Sequence, residues 1–263
     1  MIRGGIIAAG WGERLGRKEP KALTRVGGKP MIDYVLEGFS EAGIRQITCI
    51  VNEAAGDVPR RIGRSQRPPE MDWIIQTTPS SMHSFFIVLE RLSRFGDGPF
   101  LITTVDAVCE PQTYARFARQ APLFPEADVV LGLSDLVEDE KPLRVAMRGD
   151  QETGILPPRI EDNPEAFEIV AMTTTGFDSA YVTSGFYFAR PSILKEKNAV
   201  LGNHFTALRQ YLGHLLKYGY RLYGVPLPPV VDVDRPQDIE SAERVLAEQS
   251  LSPWGRGEGE GYS

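Results

Sequence analysis

The fragment AAGWGERLG, residues 8–16, sets glycines at 10, 12 and 16 directly behind the apolar run IRGGII. Arg14, Arg17, Lys18 and Lys21 crowd the same stretch. Glycine at 10 and 12 lets the backbone approach a ligand closely with its N–H groups turned inward, as short loops do when they cradle phosphate oxygens. Basic side chains beside such a loop offset the charge of a polyanion. The chemistry implied is phosphate or polyphosphate binding; the plainer alternative is an ordinary turn at the end of a strand. Two other phosphate loops do not fit. A Rossmann glycine loop opens a helix directly and is followed about 20 residues on by an acidic residue. Here the segment from Glu13 to Lys29 is polar, basic and broken by Pro20, and the next apolar run ends only at Asn52 and Glu53. A Walker A loop needs GxxxxGK[ST], and Lys18 and Lys21 stand outside that frame.

The elements that must position this loop follow from periodicity. Gly4–Ala9 reads as a buried strand meeting its C-terminal loop. Pro30 suits a first helical turn, Ile32, Val35, Leu36 and Phe39 repeat at helical spacing, and Gly43 supplies a stop. Ile44–Val51 and Trp73–Gln76 read as strands, whereas 53–70 gives no element. Phe85, Val88, Leu89 and Leu92 mark a helix, Phe100–Val105 a strand ending at Asp106, Pro111 a helix start with Tyr114, Phe117 and Ala118 inward, and Ala127–Leu133 a further strand. Strands alternating with helices predict a parallel sheet covered on both faces, with ligands at the carboxyl ends of its strands. After Ser134 the pattern changes: Leu143–Met147, Ile155–Ile160, Phe167–Met172 and Ala180–Ala189 read as strands without helices between them, an antiparallel extension roofing part of the cleft. His204–Tyr218 reads as a helix, Arg221–Val225 as a strand, and Pro236 opens a last helix.

Composition bounds the function. A chain of 263 residues with 42% hydrophobic and 24% charged residues is an ordinary globular sequence. A net charge of -6 argues against broad binding to nucleic acid or an anionic membrane, so any polyanion site is local. The two cysteines, Cys49 and Cys109, lie in apolar stretches and read as reduced and buried. With no long apolar run and no signal peptide, a cytoplasmic soluble protein is expected.

AAGWGERLG, followed by PKAL and GGKPMIDYVLEGF, resembles the sugar-phosphate and alcohol-phosphate nucleotidyltransferases and their MobA-like relatives, which share one NTP-transferase domain. The resemblance implies a GT-A-like (Rossmann-like) α/β fold with a mixed, mainly parallel sheet flanked by helices and a small antiparallel extension on the acceptor side. It implies a single domain over 1–250, a nucleotide-binding half at 1–134 and an acceptor-side half at 135–250, followed by a flexible tail at 251–263. By the same resemblance Ala8, Ala9, Gly10 and Gly12 line the triphosphate while Arg14 and Lys21 neutralise it.

The family carries its Mg2+-binding aspartate at the end of a middle strand, where FLITTVDAVCEP places Asp106. A second acidic ligand precedes the final helix, where VVDVDRPQDIESAERVL offers Asp232 and Asp234, Asp234 matching better. Taken singly, Asp106 could be a turn residue and Asp234 a helix cap. TTPSSMHSF lies where relatives read the nucleobase, so Thr77, Ser80 and Ser81 are candidates, though Ser80 or Ser81 also suits an N-cap. YVTSGFYFARPSIL places Ser184 and Gly185 on the strand that passes the acceptor. RIEDNPEA matches a sugar-phosphate motif only at Glu161, lacking its lysine.

The expected reaction is nucleotidyl transfer: an acceptor's phosphate oxygen attacks the α-phosphorus of an NTP and releases pyrophosphate. The nucleophile is already ionised, so alignment and charge neutralisation suffice and no general base is needed. Partners are then an NTP and a phosphorylated small molecule, and Tyr211, Tyr218 and Tyr220 suit a homo-oligomer interface as easily as a core. A glycosyltransferase on the same sheet type competes, but its DxD belongs near mid-chain, whereas DVD here lies near the end. A MobA-like cofactor nucleotidyltransferase, disfavoured only by the layout of the antiparallel extension, and a nucleotide sensor without chemistry are the remaining alternatives.

Overall fold

The computed structural model describes residues 2–16, 19–62, 69–135, 142–148, 167–174 and 179–251. The expected strand Ile155–Ile160, the candidate Glu161, the basic residues Arg17 and Lys18, and the tail beyond Leu251 lie outside the described residues.

The chain opens with β1 (Gly4–Ala8), whose side chains alternate between two cores: Ile6 and Ala8 pack on one face, Ile7 on the other. A short hairpin, β2 (Arg25–Val26) and β3 (Lys29–Pro30), leads into α1 (Met31–Glu41). Then come β4 (Gln46–Val51), a single turn α2 (Val58–Arg61), β5 (Glu70–Ile75), α3 (Ser81–Ser93) and β6 (Phe100–Thr104). Behind them follow β7 (Ala107–Val108), α4 (Pro111–Gln120), β8 (Val129–Ser134), β9 (Arg144–Met147), β10 (Phe167–Thr173) and β11 (Val182–Ala189). The chain closes through α5 (Lys197–Gly202), α6 (Leu208–Lys217), β12 (Leu222–Pro226), β13 (Val231–Asp232) and α7 (Pro236–Leu251).

Among the described residues, nine strands form one sheet in the order β5-β4-β1-β6-β11-β8-β12-β10-β9. Its first four strands are parallel, and β12 is parallel to β8. β11 and β10 run against the strands beside them, so the sheet is mixed: parallel pairing is unbroken from β5 to β6 and returns beyond them only between β8 and β12. One expectation is corrected. The sequence places Ala180–Ala189 in an antiparallel extension roofing the cleft, yet β11 lies mid-sheet between β6 and β8, leaving β9 and β10 at the far edge. Its run FYFA is buried throughout, as a central strand demands.

Helices cover both faces. Ile32, Val35 and Phe39 of α1 meet Tyr114 and Phe117 of α4 on one side, and Phe85, Phe86 and Leu89 of α3 meet Tyr211, Leu212 and Leu215 of α6 on the other. Tyr211 is thereby a core residue, donating to the Ile193 carbonyl at 2.6 Å, and is unavailable to an interface, whereas Tyr218 stands 60% exposed. A third, smaller core joins Leu15, Val26, Met31 and Tyr34 to Val108, Val231, Val233 and Ile239. It clamps the glycine loop, the hairpin and the last helix onto the ribbon that carries the aspartates. Both cysteines are free and buried, as expected. No helix among the described residues is long and apolar enough to cross a membrane.

Candidate active site

Glycine-loop geometry is set by local backbone needs. Gly12 adopts φ 67°, a left-handed conformation that strains other residues, and a Cβ there would come within 3.0 Å of the Lys21 Cβ. The loop then makes a 3-10 turn at Glu13–Leu15, burying Leu15 and leaving Arg14 exposed. A second such turn, Lys21–Leu23, is fixed by the Leu23 N–H on the Pro20 carbonyl at 2.8 Å, and brings Lys21 back beneath the loop. Lys21 is only 6% exposed, which is rare for lysine unless it is paired.

Its pairing partners are the two aspartates singled out from the sequence. Lys21 Nζ donates to Asp106 Oδ2 and to Asp234 Oδ1, and Arg14 reaches Asp234 Oδ2 at 2.5 Å. Residues 85 and 213 positions from Lys21 meet because β7 pairs antiparallel with β13 in a two-residue ribbon, with the Val233 N–H on the Asp106 carbonyl at 3.0 Å. Asp232 joins them. One carboxylate oxygen from each of Asp106, Asp232 and Asp234 lies within 4.8 Å of the others. Such a set of hard oxygens fits Mg2+, which takes one or two carboxylates and completes its shell with water and phosphate.

The charges are strongly held. Burial works against a charged Lys21, but Asp106, then Asp232 and Asp234, outweigh it and raise its pKa above the ordinary value. Burial likewise opposes ionisation of Asp106, yet Lys21, the Thr104 hydroxyl and the Asp106 backbone N–H together bring its carboxyl below the usual carboxylate range. Asp234 is seated from behind by Asp238, whose carboxylate accepts from the Asp234 and Arg235 N–H groups at 2.9 and 2.7 Å.

Gly185 presses against the base of this turn. Its φ is 78°, and a Cβ would approach Thr104 Oγ1 to 2.6 Å and the Ala107 Cβ to 3.1 Å. Only glycine lets the irregular stretch of β11 close on the residues flanking Asp106. The Ser184 hydroxyl is buried without a hydrogen-bond partner among the described residues.

The structure therefore brings Arg14, Lys21, Asp106 and Asp234 together at the carboxyl ends of β1 and β6, with Gly10 and Gly12 along the Lys21 stem and Gly185 against Thr104 and Ala107 on either side of Asp106. Ala8 and Ala9 are buried at the end of β1. Ser80 caps α3, its hydroxyl accepting from the His83 N–H at 3.5 Å and lying 2.8 Å from His83 Nδ1. Ser81 is exposed in the first turn, and Thr77 donates to Glu53 at 3.0 Å.

Sequence reading missed three features. Asn52 is buried, sends its amide to the Ala9 and Gly10 carbonyls at 3.4 and 3.3 Å, and accepts from the Ala55 N–H at 2.8 Å, so it fastens the loop to the end of β4. Its place just past a buried strand was the available signal. The β2–β3 hairpin was read as spacer, although Gly27-Gly28 between Val26 and Lys29 is a two-residue turn signal, both glycines having positive φ. The third carboxylate, Asp232, was set aside in favour of Asp234.

Residues 4–151 match the model of the MobA-like NTP transferase domain. The chain belongs to that family. It is 27% identical over 231 residues to the CMP-5'-(3-aminopropyl)phosphonate synthase of Streptomyces rubellomurinus, an alignment covering 85% of this chain and 33% of the relative. It is 41% identical over 58 residues to the bifunctional protein GlmU of Staphylococcus epidermidis, covering 22% of this chain and 13% of that protein. The chain thus spans about a third or less of the length of these relatives. Among solved structures, the inositol-1-phosphate CTP transferase from T. maritima superposes with a TM-score of 0.71 over 95% of this chain and 97% of the other, at 17% identity. The fold is that of the nucleotidyltransferases of known structure, and the NTP-transferase domain is the one implied by the resemblance of AAGWGERLG, PKAL and GGKPMIDYVLEGF.

Proposed function

We propose that the protein is a Mg2+-dependent nucleotidyltransferase that moves CMP from CTP to a phosphate or phosphonate oxygen of a small-molecule acceptor and releases pyrophosphate. The observation that carries this reading is the placement of Lys21: it lies under the glycine loop and points into the aspartate cluster, so one buried cation joins the phosphate-binding and metal-binding halves of the site. Cytidine is favoured because one relative forms a CMP-linked phosphonate by name and one structural neighbour is a CTP transferase by name.

Asp106 and Asp234, with Asp232 beside them, would hold the metal, which when bound polarises phosphoryl oxygens as a Lewis acid. The chain's own residues do the rest. Loop N–H groups at Gly10 and Gly12 and the Lys21 and Arg14 cations fix the triphosphate and offset the charge that builds in transfer, supplying alignment and electrostatic stabilisation. Asn52 holds the loop carbonyls back so that its N–H groups face the ligand. Thr77, Ser80 and Ser81 border the base, and Ser184, with its unpartnered buried hydroxyl, and Gly185 border the acceptor. We read the fold as GT-A-like and the location as cytoplasmic, in keeping with two free buried cysteines.

The test is pyrophosphate release from CTP, UTP, GTP, ATP and dTTP with Mg2+ and a panel of small phosphates and phosphonates. Turnover confined to CTP supports the proposal. Turnover with another NTP replaces the base assignment, and a protein that neither turns over nor binds any NTP refutes the enzymatic reading.

A further inference from the structure

We infer that Lys21 is a built-in counter-ion that holds the place of the divalent cation, so that the metal enters productively only together with the triphosphate that takes the lysine over. The inference rests on the nucleotidyltransferase reading above and adds to it an order of events. Lys21 Nζ donates simultaneously to Asp106 and Asp234, the two carboxylates that would ligate the metal. A cation coordinated at about 2.1 Å by those oxygens excludes an ammonium hydrogen-bonded to the same oxygens, sterically and by like charge. Arg14 cannot substitute, since it touches only the outer oxygen of Asp234 from an exposed position. Without Lys21, the facing oxygens of three carboxylates within 4.8 Å would be left to repel one another.

Displacement needs a destination. An expelled Lys21 ammonium would be a buried, unpaired charge, which is strongly unfavourable. The lysine stem, however, lies along the glycine loop: a Cβ on Gly12 would be 3.0 Å from Lys21 Cβ, and one on Gly10 would be 3.9 Å from Lys21 Cδ. Rotation of the flexible stem moves the head group from the carboxylates towards the loop while the 3-10 turn at Lys21–Leu23 keeps the backbone still. A triphosphate in the loop gives the ammonium a new partner as the metal takes its old one. Metal alone must work against the lysine, and free metal at rest leaves the site closed.

The experiment measures Mn2+ binding to the full chain without nucleotide or acceptor, by the electron paramagnetic resonance of free Mn2+, for the wild type, Lys21→Gln and Lys21→Met. The expected result is Mn2+ affinity at least about tenfold higher in both variants, from removal of one adjacent positive charge. Metal-free inorganic tripolyphosphate should bind them less well than the wild type. Lys21→Gln retains a donor for one carboxylate and guards against simple unfolding; a variant that folds only when Mn2+ is added supports the inference equally. A folded variant that binds Mn2+ no better than the wild type overturns it, as does one that Mn2+ fails to rescue. Because no nucleotide is present, either failure leaves the pyrophosphate-release test standing.

Discussion

Asp106→Asn separates what the carboxylate does for transfer from what it does for folding. Asparagine keeps the shape and one acceptor oxygen but removes the charge facing Lys21. The buried ammonium is not stranded, since Asp234 still accepts from it and Asp232 lies within the same cluster. The loss to the fold is therefore one charge-assisted hydrogen bond, about 1.5–3 kcal/mol, partly offset by relief of repulsion among the carboxylates. Transfer loses an anionic donor from the set that would hold the metal. If that clamp supplies several kcal/mol, with about 3–5 lost here, turnover falls by roughly 10²–10⁴ at about 1.36 kcal/mol per decade. The assay is kcat from pyrophosphate release beside urea unfolding of the same preparations. Turnover within about tenfold of wild type would show that Asp106 takes no part in holding the metal. A stability loss above about 5 kcal/mol would show that its charge is chiefly structural.

Asn52→Ala should leave the Ala9 and Gly10 carbonyls and the Ala55 N–H without their side-chain partner, lowering stability by about 1–3 kcal/mol and raising the KM for NTP more than it lowers kcat; steady-state kinetics that show the reverse split would count against a loop-positioning role. Gly185→Ala combines a left-handed backbone with a contact to Thr104 Oγ1, so urea unfolding should show a loss of about 2–4 kcal/mol, and an unchanged midpoint would contradict the packing described. Asp72 is held below its ordinary carboxyl pKa, first by the Arg91 hydrogen bond, with burial opposing and the Thr48 hydroxyl assisting. A lowered folded-state pKa contributes stability above the ordinary value of 3.8 and loses it as pH falls through the folded one. Asp72→Asn should therefore destabilise near neutral pH and converge on the wild type as pH falls below 3.8 and through the lowered folded-state value; a gap that stays constant across that descent would refute the linkage.

The phosphate loop was legible because its chemistry is local: glycines at 10 and 12 and the cations Arg14 and Lys21 are read within fifteen residues of one another. The α1 and α3 helices and the strands β1, β4 and β6 were legible for a related reason, since each carries its own period of apolar residues. What stayed hidden depends on partners distant in the chain. The apolar run of β11 says that it is a strand but not that it enters the sheet between β6 and β8. The antiparallel sense follows from the missing helices, whereas the position in the sheet rests on pairing with β6 and β8, strands distant in the chain, which Gly185 permits by leaving room for Thr104. Asn52 shows only a polar residue at a strand end until the loop is folded over it. The β7–β13 ribbon is two residues long in each strand, too short for any periodicity, yet it brings Asp232 and Asp234 to Asp106. Asp106 and Asp234 were found through family resemblance; the ribbon supplies the physical reason that they meet.

The most direct test of the central claim runs the reaction backwards. Purified protein is incubated with Mg2+ and pyrophosphate and with CMP-linked phosphonates and CDP-linked sugars and alcohols, alongside UDP-, GDP-, ADP- and dTDP-linked counterparts, and NTP formation is followed by chromatography. CTP is expected from at least one cytidine-linked compound, and its formation should stop on chelation of the metal. NTP formed equally well with the metal chelated, or no NTP from any compound by a protein that also fails to bind CTP with Mg2+, would contradict it.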